Sequence, residues 1–450
     1  MARRGGRHEP GRPSTGGGAM RVAFVNPPWD YRNSIYFGCR EPHLPLELGY
    51  AAALLEAGGH ETLLVDCHLE GLSAAEGVER IAAFAPAMTV ITTAPTYLFW
   101  RCAPPEMRVP RAFLDALQGR GGRTVAVGPH GSATPRPTLE KLGCDVVVRG
   151  ECEEIVARLA ETDDLRSLPT LAYRDAEGRV VVTGPPHAGR FTDLPALAWP
   201  DAWIARHHHH HHRFDTAPDG PGAEIEASRG CPYTCSFCAK IDFRDAYRRR
   251  DLPIILDEID GLISQGVTYL YFVDEIFLPQ KPLLEALVGR RVKFGVQTRI
   301  DLWKPDMLDL LGAAGCVSIE AGIESLTEEG RAALDKRCRA STDDLAERLI
   351  YARRTVPFVQ ANLIAVAGDD PDLVAAWRDR LRGAGVWAND PVPLYPYPSS
   401  PDYRRLWGEP DDAAWERAHA HYLSQFTRFS DIQEERPLPL PELEATCGCR

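Results

Sequence analysis

The chain has 450 residues, length for about three domains at ~150 residues each. Its 44% apolar and 25% charged residues are an ordinary globular balance, which excludes disordered and collagen-like classes. The net charge of −12 argues against a broad nucleic-acid footprint, and no run approaches the ~18 apolar residues of a membrane span.

Residues 1–19 are rich in Arg and Gly and lack the apolar core of a secretory signal. They are taken as a leader, and the protein as soluble and cytoplasmic. From 20 to 165, short apolar runs alternate with helical stretches. Strands are expected over Val22–Asn26, Thr62–Val65, Met88–Thr93, Thr124–Val127 and Asp145–Val148, and a helix over Pro45–Ala57 that Gly58 and Gly59 close. The alternation predicts a doubly wound parallel sheet. Ligands of such sheets sit at the carboxyl ends of the strands, so the loops of interest are Pro27-Pro28, Thr92–Pro95, Gly128–Ser132 and Gly150-Glu151.

Residues 166–222 carry many prolines and glycines, a hairpin over Ala172–Val182, and six histidines at His207–His212. Contiguous imidazoles cannot all face one ion in a defined geometry, so this segment reads as a linker. In residues 223–400, strands are expected over Ala223–Ser228, Tyr269–Val273, Lys293–Gln297, Val317–Ala321, Phe358–Val366 and Val386–Leu394, with a helix over Leu256–Gln265. Six βα units make a partial barrel, short of the full eight. Residues 401–450 hold a helical stretch around Asp411–Phe426 and a proline-rich tail, in which Cys447 and Cys449 read as fraying ends.

Most of the twelve cysteines stand alone, several in apolar runs, where a free thiol acts as a small hydrophobe. Three do not. Arg229-Gly-Cys231-Pro-Tyr-Thr-Cys235-Ser-Phe-Cys238 sets three thiols on a loop directly after a strand. Zinc sites usually pair cysteines in two separated knuckles and total four ligands, and no fourth partner stands nearby. Three thiolates can hold three irons of a [4Fe–4S] cluster and leave the fourth open. The amine and carboxylate of S-adenosylmethionine (SAM) suit that open iron.

On these residues the chain resembles the radical SAM superfamily. The resemblance implies that Phe237 lies against the adenine and that Asp274 and Glu275 bind the methionyl amine, in place of the commoner Gly-Gly-Glu. It also implies that Gln297, Arg299 and Glu324 hold the SAM carboxylate or ribose. The first region resembles the cobalamin-binding domains that precede many radical SAM barrels. Asn26-Pro27-Pro28, Gly128-Pro129-His130 and Val148-Arg149-Gly150-Glu151 carry this likeness, and Thr92 and Thr93 end the third strand beside them. Glycines at such turns let backbone approach a flat corrin. No Gly-x-Gly-x-x-Gly loop follows the first strand, so a dinucleotide fingerprint is absent.

The two resemblances cover residues 20 to about 400. They imply a Rossmann-like cobalamin-binding domain, then a partial (βα)6 TIM-like barrel and a small helical carboxy-terminal segment. Asp66-Cys-His68-Leu-Glu-Gly71 fits the Asp-x-His-x-x-Gly pattern that gives a histidine to cobalt. That loop follows the first strand in the family and the second strand here, so His68 reads as a loop residue and cobalt as lacking a histidine beneath it.

The implied cofactors are a [4Fe–4S] cluster, SAM and cobalamin, and they carry the hard chemistry. The implied reaction is methylation of an unactivated carbon on a small metabolite or biosynthetic intermediate, through a 5′-deoxyadenosyl radical and methylcobalamin. No general base at pH 7 would deprotonate such a carbon. An electron donor such as flavodoxin or ferredoxin is implied; no nucleic-acid or membrane partner is. The same motifs serve a ring closure, contraction or rearrangement without methyl transfer. A cobalamin sensor without catalysis would have no use for an open-iron cluster. The Tyr- and Pro-rich Asn389–Pro398 reads equally as a substrate-facing loop and as a packing collar.

Overall fold

The computed structural model describes residues 18–35, 42–96, 102–208, 219–240, 243–244, 246–425 and 436–446. The leader up to residue 17, histidines 209–212, Cys447 and Cys449 lie outside the described residues.

The first sheet contains β1 (Arg21–Asn26), β2 (Glu61–Asp66), β3 (Met88–Thr92), β4 (Arg123–Val127), β5 (Val146–Val148), β6 (Leu171–Arg174) and β7 (Val180–Val182), in the order β2-β1-β3-β4-β5-β6-β7. β1 to β5 pair in parallel; β6 and β7 add an antiparallel edge. The predicted hairpin thus completes this sheet. Both faces are covered, as near-continuous apolar strands require. Ala23, Val25 and Ile91 pack with Val78, Ile81 and Phe113 on one side, and Val22, Phe24 and Val90 with Leu48, Ala51 and Leu55 on the other. The chain leaves β1 for one edge at β2 and returns across it to β3, which makes a switch point between the carboxyl ends of β1 and β3.

The helix Leu46–Ala57 (LELGYAAALLEA) is apolar nearly all round. A helix with two buried faces needs that pattern. Leu48, Ala51 and Leu55 face the first sheet, whereas Leu46 and Tyr50 join the core of the second unit. The glycine that adopts the left-handed backbone at its end is Gly59, with φ of 85°.

The second unit opens with β8 (Gly222–Ile225), followed by the two-stranded ribbon of β9 (Ser228–Arg229) and β10 (Arg248–Arg249) that frames the cysteine loop. β11 (Tyr269–Phe272), β12 (Lys293–Thr298), β13 (Cys316–Glu324), β14 (Phe358–Leu363) and β15 (Trp387–Ala388) then pair in parallel in chain order, β8 lying beside β11. The six predicted units are therefore present as an open, barrel-like sheet. Its last strand is much shorter than expected. Pro391, Pro393 and Pro396 have no N–H for a ladder, and beyond Ala388 only Val392 makes an isolated bridge, to Ile364.

Three helices, Pro401–Trp407, Ala414–Gln425 and Leu440–Ala445, close the chain. Tyr403, Trp415, Tyr422 and Leu440 bury themselves in the apolar cluster of the first sheet, and Trp415 Nε1 donates to Thr134 Oγ1 at 3.0 Å. The chain end thereby braces the first sheet against the second. Among the described residues no helix is long and apolar enough to cross a membrane.

Candidate active site

The cysteine loop is pinned at several points. Gly230 has φ of 81°, and a Cβ there would stand 2.1 Å from the Ala246 carbonyl oxygen, so only glycine fits. Its N–H donates to Glu275 Oε2 at 2.6 Å. Lys240 Nζ donates to the Cys231 carbonyl at 2.7 Å. Ser236 N–H donates to the Leu334 carbonyl at 2.9 Å, and its hydroxyl to Asp402 at 3.0 Å. The loop is held by the second sheet on one side and by the carboxy-terminal helices on the other.

Cys231, Cys235 and Cys238 are all half-buried and line one cavity of about 340 Å³ at the carboxyl ends of the second sheet. Among the described residues no three His, Cys, Asp or Glu side chains close on a single ion. A four-iron cluster keeps its thiolates farther apart than one ion does, and three thiols opening onto a shared space fit that donor set. Burial pushes the Cys235 thiol up, while Lys336 and Arg299 pull it back.

Phe237, Glu275, Gln297, Arg299 and Glu324 line the same cavity. Arg299 lies 3.9 Å from the Tyr233 ring centroid, pairs with Asp301 at 2.9 Å and donates to the Lys336 carbonyl at 2.7 Å. It therefore clamps the cysteine loop as well as facing the cavity. Gln297 Nε2 donates to Glu320 at 3.2 Å. Glu324 stands at a register shift in β13 with φ of 66°, and Lys336 holds its carboxylate at 3.0 Å. A non-glycine residue in that conformation stores strain that its surroundings must hold in place.

Asp274 is placed differently from Glu275. It is fully buried, accepts from Ala227 N–H at 2.8 Å and from the Ser228 hydroxyl, and is absent from the cavity wall. Burial holds its carboxyl well above the usual carboxylate range. It ties the end of β8 to the loop after β11, and of the two carboxylates only Glu275 faces the cavity.

On the first sheet, Asn26 bridges Trp29 Nε1 and Asp66 Oδ1 at 2.6 and 3.0 Å, and Pro27 and Pro28 follow it at the switch point. Thr92, buried at the end of β3, has no hydrogen-bond partner for its hydroxyl among the described residues. An unmet hydroxyl beside a switch point fits a ligand there. The other loop residues are engaged by protein. His130 is fully buried behind Pro129, shares hydrogen bonds with Thr93 Oγ1 at 3.1 Å and the Pro104 carbonyl at 2.9 Å, and packs 4.6 Å from Trp415. Burial depresses its pKa to about 3, so it stays neutral. A Cβ on Gly128 would meet Thr93 Oγ1 at 2.5 Å, and one on Gly150 the His187 carbonyl oxygen at 2.3 Å. Close protein packing requires glycine at both positions.

Glu151 belongs to a buried charge network that joins the two units. Arg229 pairs with Glu226 at 2.7 Å, Glu153 at 2.8 Å and Glu151 at 3.4 Å. Arg248 reaches Glu151 at 2.9 Å, and Arg244 reaches Glu226 and, at 3.3 Å, Glu47. Burial alone would raise Glu226, but Arg229 and Arg244 more than offset it and hold its carboxyl low. Cys102, from the loop after β3, lines the same cavity as the three cysteines. The strand-end loops of the first sheet therefore lie against the mouth of the second. Cys102, Tyr233, Glu320, Lys336 and Asn362 also line the cavity. Tyr233 arrives on the cysteine loop itself; the other four come from separate loops or strands, and no spacing in the sequence marks them.

Residues 225–376 match the radical SAM superfamily. The chain is 28% identical over 411 residues to the anaerobic magnesium-protoporphyrin IX monomethyl ester cyclase of Cereibacter sphaeroides, covering 86% of this chain and 64% of the cyclase. It is also 28% identical to the hopanoid C-3 methylase of Methylococcus capsulatus, over 88% of this chain and 74% of the methylase. In fold it matches the radical SAM methyltransferase TsrM of Kitasatospora setae, solved with cobalamin and a [4Fe–4S] cluster. The TM-score is 0.67 at 20% identity, over 86% of this chain and 77% of that one.

Proposed function

The chain belongs to the radical SAM superfamily, and we propose that it is a cobalamin-dependent enzyme that methylates an unactivated carbon of a small molecule. The observation that carries this reading is the shared cavity: Cys102 from the first sheet and Cys231, Cys235 and Cys238 from the second line it together. A radical generated at the cysteines is too reactive to travel, so any methyl donor has to stand beside them. The hopanoid methylase and the methyltransferase solved with cobalamin support the same choice.

Cys231, Cys235 and Cys238 would hold the cluster. Phe237, Glu275, Gln297, Arg299 and Glu324 would face SAM, and the loops after β1, β3 and β4 would face cobalamin. When bound, the cluster and SAM supply a hydrogen-abstracting radical, and cobalamin supplies the methyl group. The protein's own work is positional. Gly230 and Lys240 fix the loop, Glu275 offers a carboxylate for an amine, and Arg299 sets Tyr233 against the cavity. The buried pairing of Arg229 with Glu151 and Glu153 holds the two units together. An electron donor such as a flavodoxin or ferredoxin would reduce the cluster.

A radical ring closure is the second reading, and the cyclase similarity favours it. Turnover with methyl-labelled SAM separates the two. Methyl transfer yields 5′-deoxyadenosine and S-adenosylhomocysteine in nearly equal amounts, and a product heavier by one methylene. Ring closure yields 5′-deoxyadenosine without S-adenosylhomocysteine, and that result would overturn methylation. Anaerobically reconstituted protein should hold about four irons per chain and lose them in Cys235→Ala, since three thiolates are the minimum set.

A further inference from the structure

A second cavity, of about 730 Å³, abuts the cysteine-lined one of about 340 Å³. Ile364, Pro393 and Leu394 line both. All three keep partial exposure, so they form a threshold between two open spaces rather than a sealed partition. The outer cavity is walled by the loop after β14, the helix Pro371–Gly383 and the helix Pro401–Trp407, largely through aliphatic and proline side chains. Asp369, Asp402, Arg405, His421 and Gln425 add polar edges.

Three features bear on what fills it. First, the inner cavity lies at the small end of the ~300–1,000 Å³ usual for ligand pockets. It must take SAM, which leaves no room for the bulk of a large acceptor. Second, Leu373 and Leu406 are 45% and 53% exposed, two of only four large apolar side chains so exposed among the described residues. Both stand on helices that wall the outer cavity, and Leu406 itself lines it; exposed apolar surface at a cavity wall marks a binding site. Third, Tyr395 lines the inner cavity, is 3% exposed, and its hydroxyl has no hydrogen-bond partner among the described residues. A buried phenol in that position calls for a partner from the ligand.

Resting on the reading above, we infer that the acceptor is an elongated, predominantly apolar molecule. It enters between the helices Pro371–Gly383 and Pro401–Trp407, lies in the outer cavity, and crosses the threshold of Ile364, Pro393 and Leu394. Its reacting end then stands by the cysteines, with a hydroxyl or carbonyl group beside Tyr395. The outer cavity decides which acceptors fit; the inner one decides which carbon reacts.

The test uses stearic acid spin-labelled near its methyl end or near its carboxylate, added to the reconstituted full-length protein. Both probes should bind saturably with an immobilised spectrum, and the reduced cluster should speed the relaxation of one nitroxide well beyond the other. Ala367→Trp, a plug on an exposed position of the outer wall, should weaken binding by about tenfold or more, while its thermal unfolding matches the wild type. A freely tumbling probe in the wild type, equal binding to the plugged variant, or equal relaxation of the two nitroxides would overturn the inference. The underlying reading fails by a different sign. Reduced wild-type protein that makes no 5′-deoxyadenosine from SAM would overturn it, and the acceptor assignment with it, whatever the probes do.

Discussion

Asp66 Oδ1 accepts from Leu69 N–H at 2.9 Å and from Asn26 Nδ2 at 3.0 Å, so the carboxylate caps the short turn Cys67–Glu70 that Gly71 ends with φ of 67°. The Asp-x-His-x-x-Gly spacing is explained by this turn: an N-cap, one turn of helix and a left-handed glycine. His68 sits on that turn, 6.2 Å from the Tyr31 ring. His68→Ala should therefore leave the spectrum of bound cobalamin unchanged, whereas loss of a cobalt–nitrogen signature would restore the ligand role. Burial lifts the Asp66 carboxyl to about 7, from its ordinary value of 3.8. Between those values the folded state holds a proton the unfolded state has released, so stability falls as pH rises through the window. Asp66→Asn keeps an acceptor for the cap and removes that slope. Its urea midpoint should gain on the wild type between about pH 4 and pH 7, the limits of this shift, and a constant gap between the two would contradict the assignment.

Strands and turns differ in how far they can be read from sequence. β1 to β5, β8 and β11 to β14 were legible because parallel strands buried on both faces leave unbroken apolar runs. β15 was overestimated because Val386–Leu394 is apolar enough for a strand, yet its prolines cannot pair. The cysteine trio was legible from spacing alone, since one loop carries all three. Asp274 was not separable from Glu275 in sequence. Adjacent residues after a strand point to opposite sides, and only the fold shows Asp274 turned toward Ser228 and Glu275 toward the cavity. The glycine turns have a packing reason that spacing does not show. Gly150→Ala, with φ of 81° and a backbone oxygen 2.3 Å from the new Cβ, should cost about 1–3 kcal/mol in chemical denaturation even without cobalamin. A cost that appears only with cobalamin bound would return the glycine to a ligand-contact role.

At the scale of the whole molecule, the join between the units was out of reach of local pattern. Arg229, Arg244 and Arg248 meet Glu47, Glu151 and Glu153 across long stretches of chain, and charge counting does not pair residues so far apart. The network is fully desolvated at Arg229, so deleting that guanidinium strands several carboxylates without a cation. Arg229→Ala should destabilise the protein by about 3–5 kcal/mol, measured by urea unfolding, and a loss below about 1 kcal/mol would place the network in water.

The central claim is that both cofactors serve one cavity between the two sheets. The most direct measurement is electron paramagnetic resonance of protein loaded with the reduced cluster and cob(II)alamin together. The account predicts mutual magnetic coupling, with relaxation of each centre altered by the other, and its loss when Cys235→Ala removes the cluster. Two full-strength signals that simply add, with neither centre sensing the other, would set the sites on separate faces and contradict it.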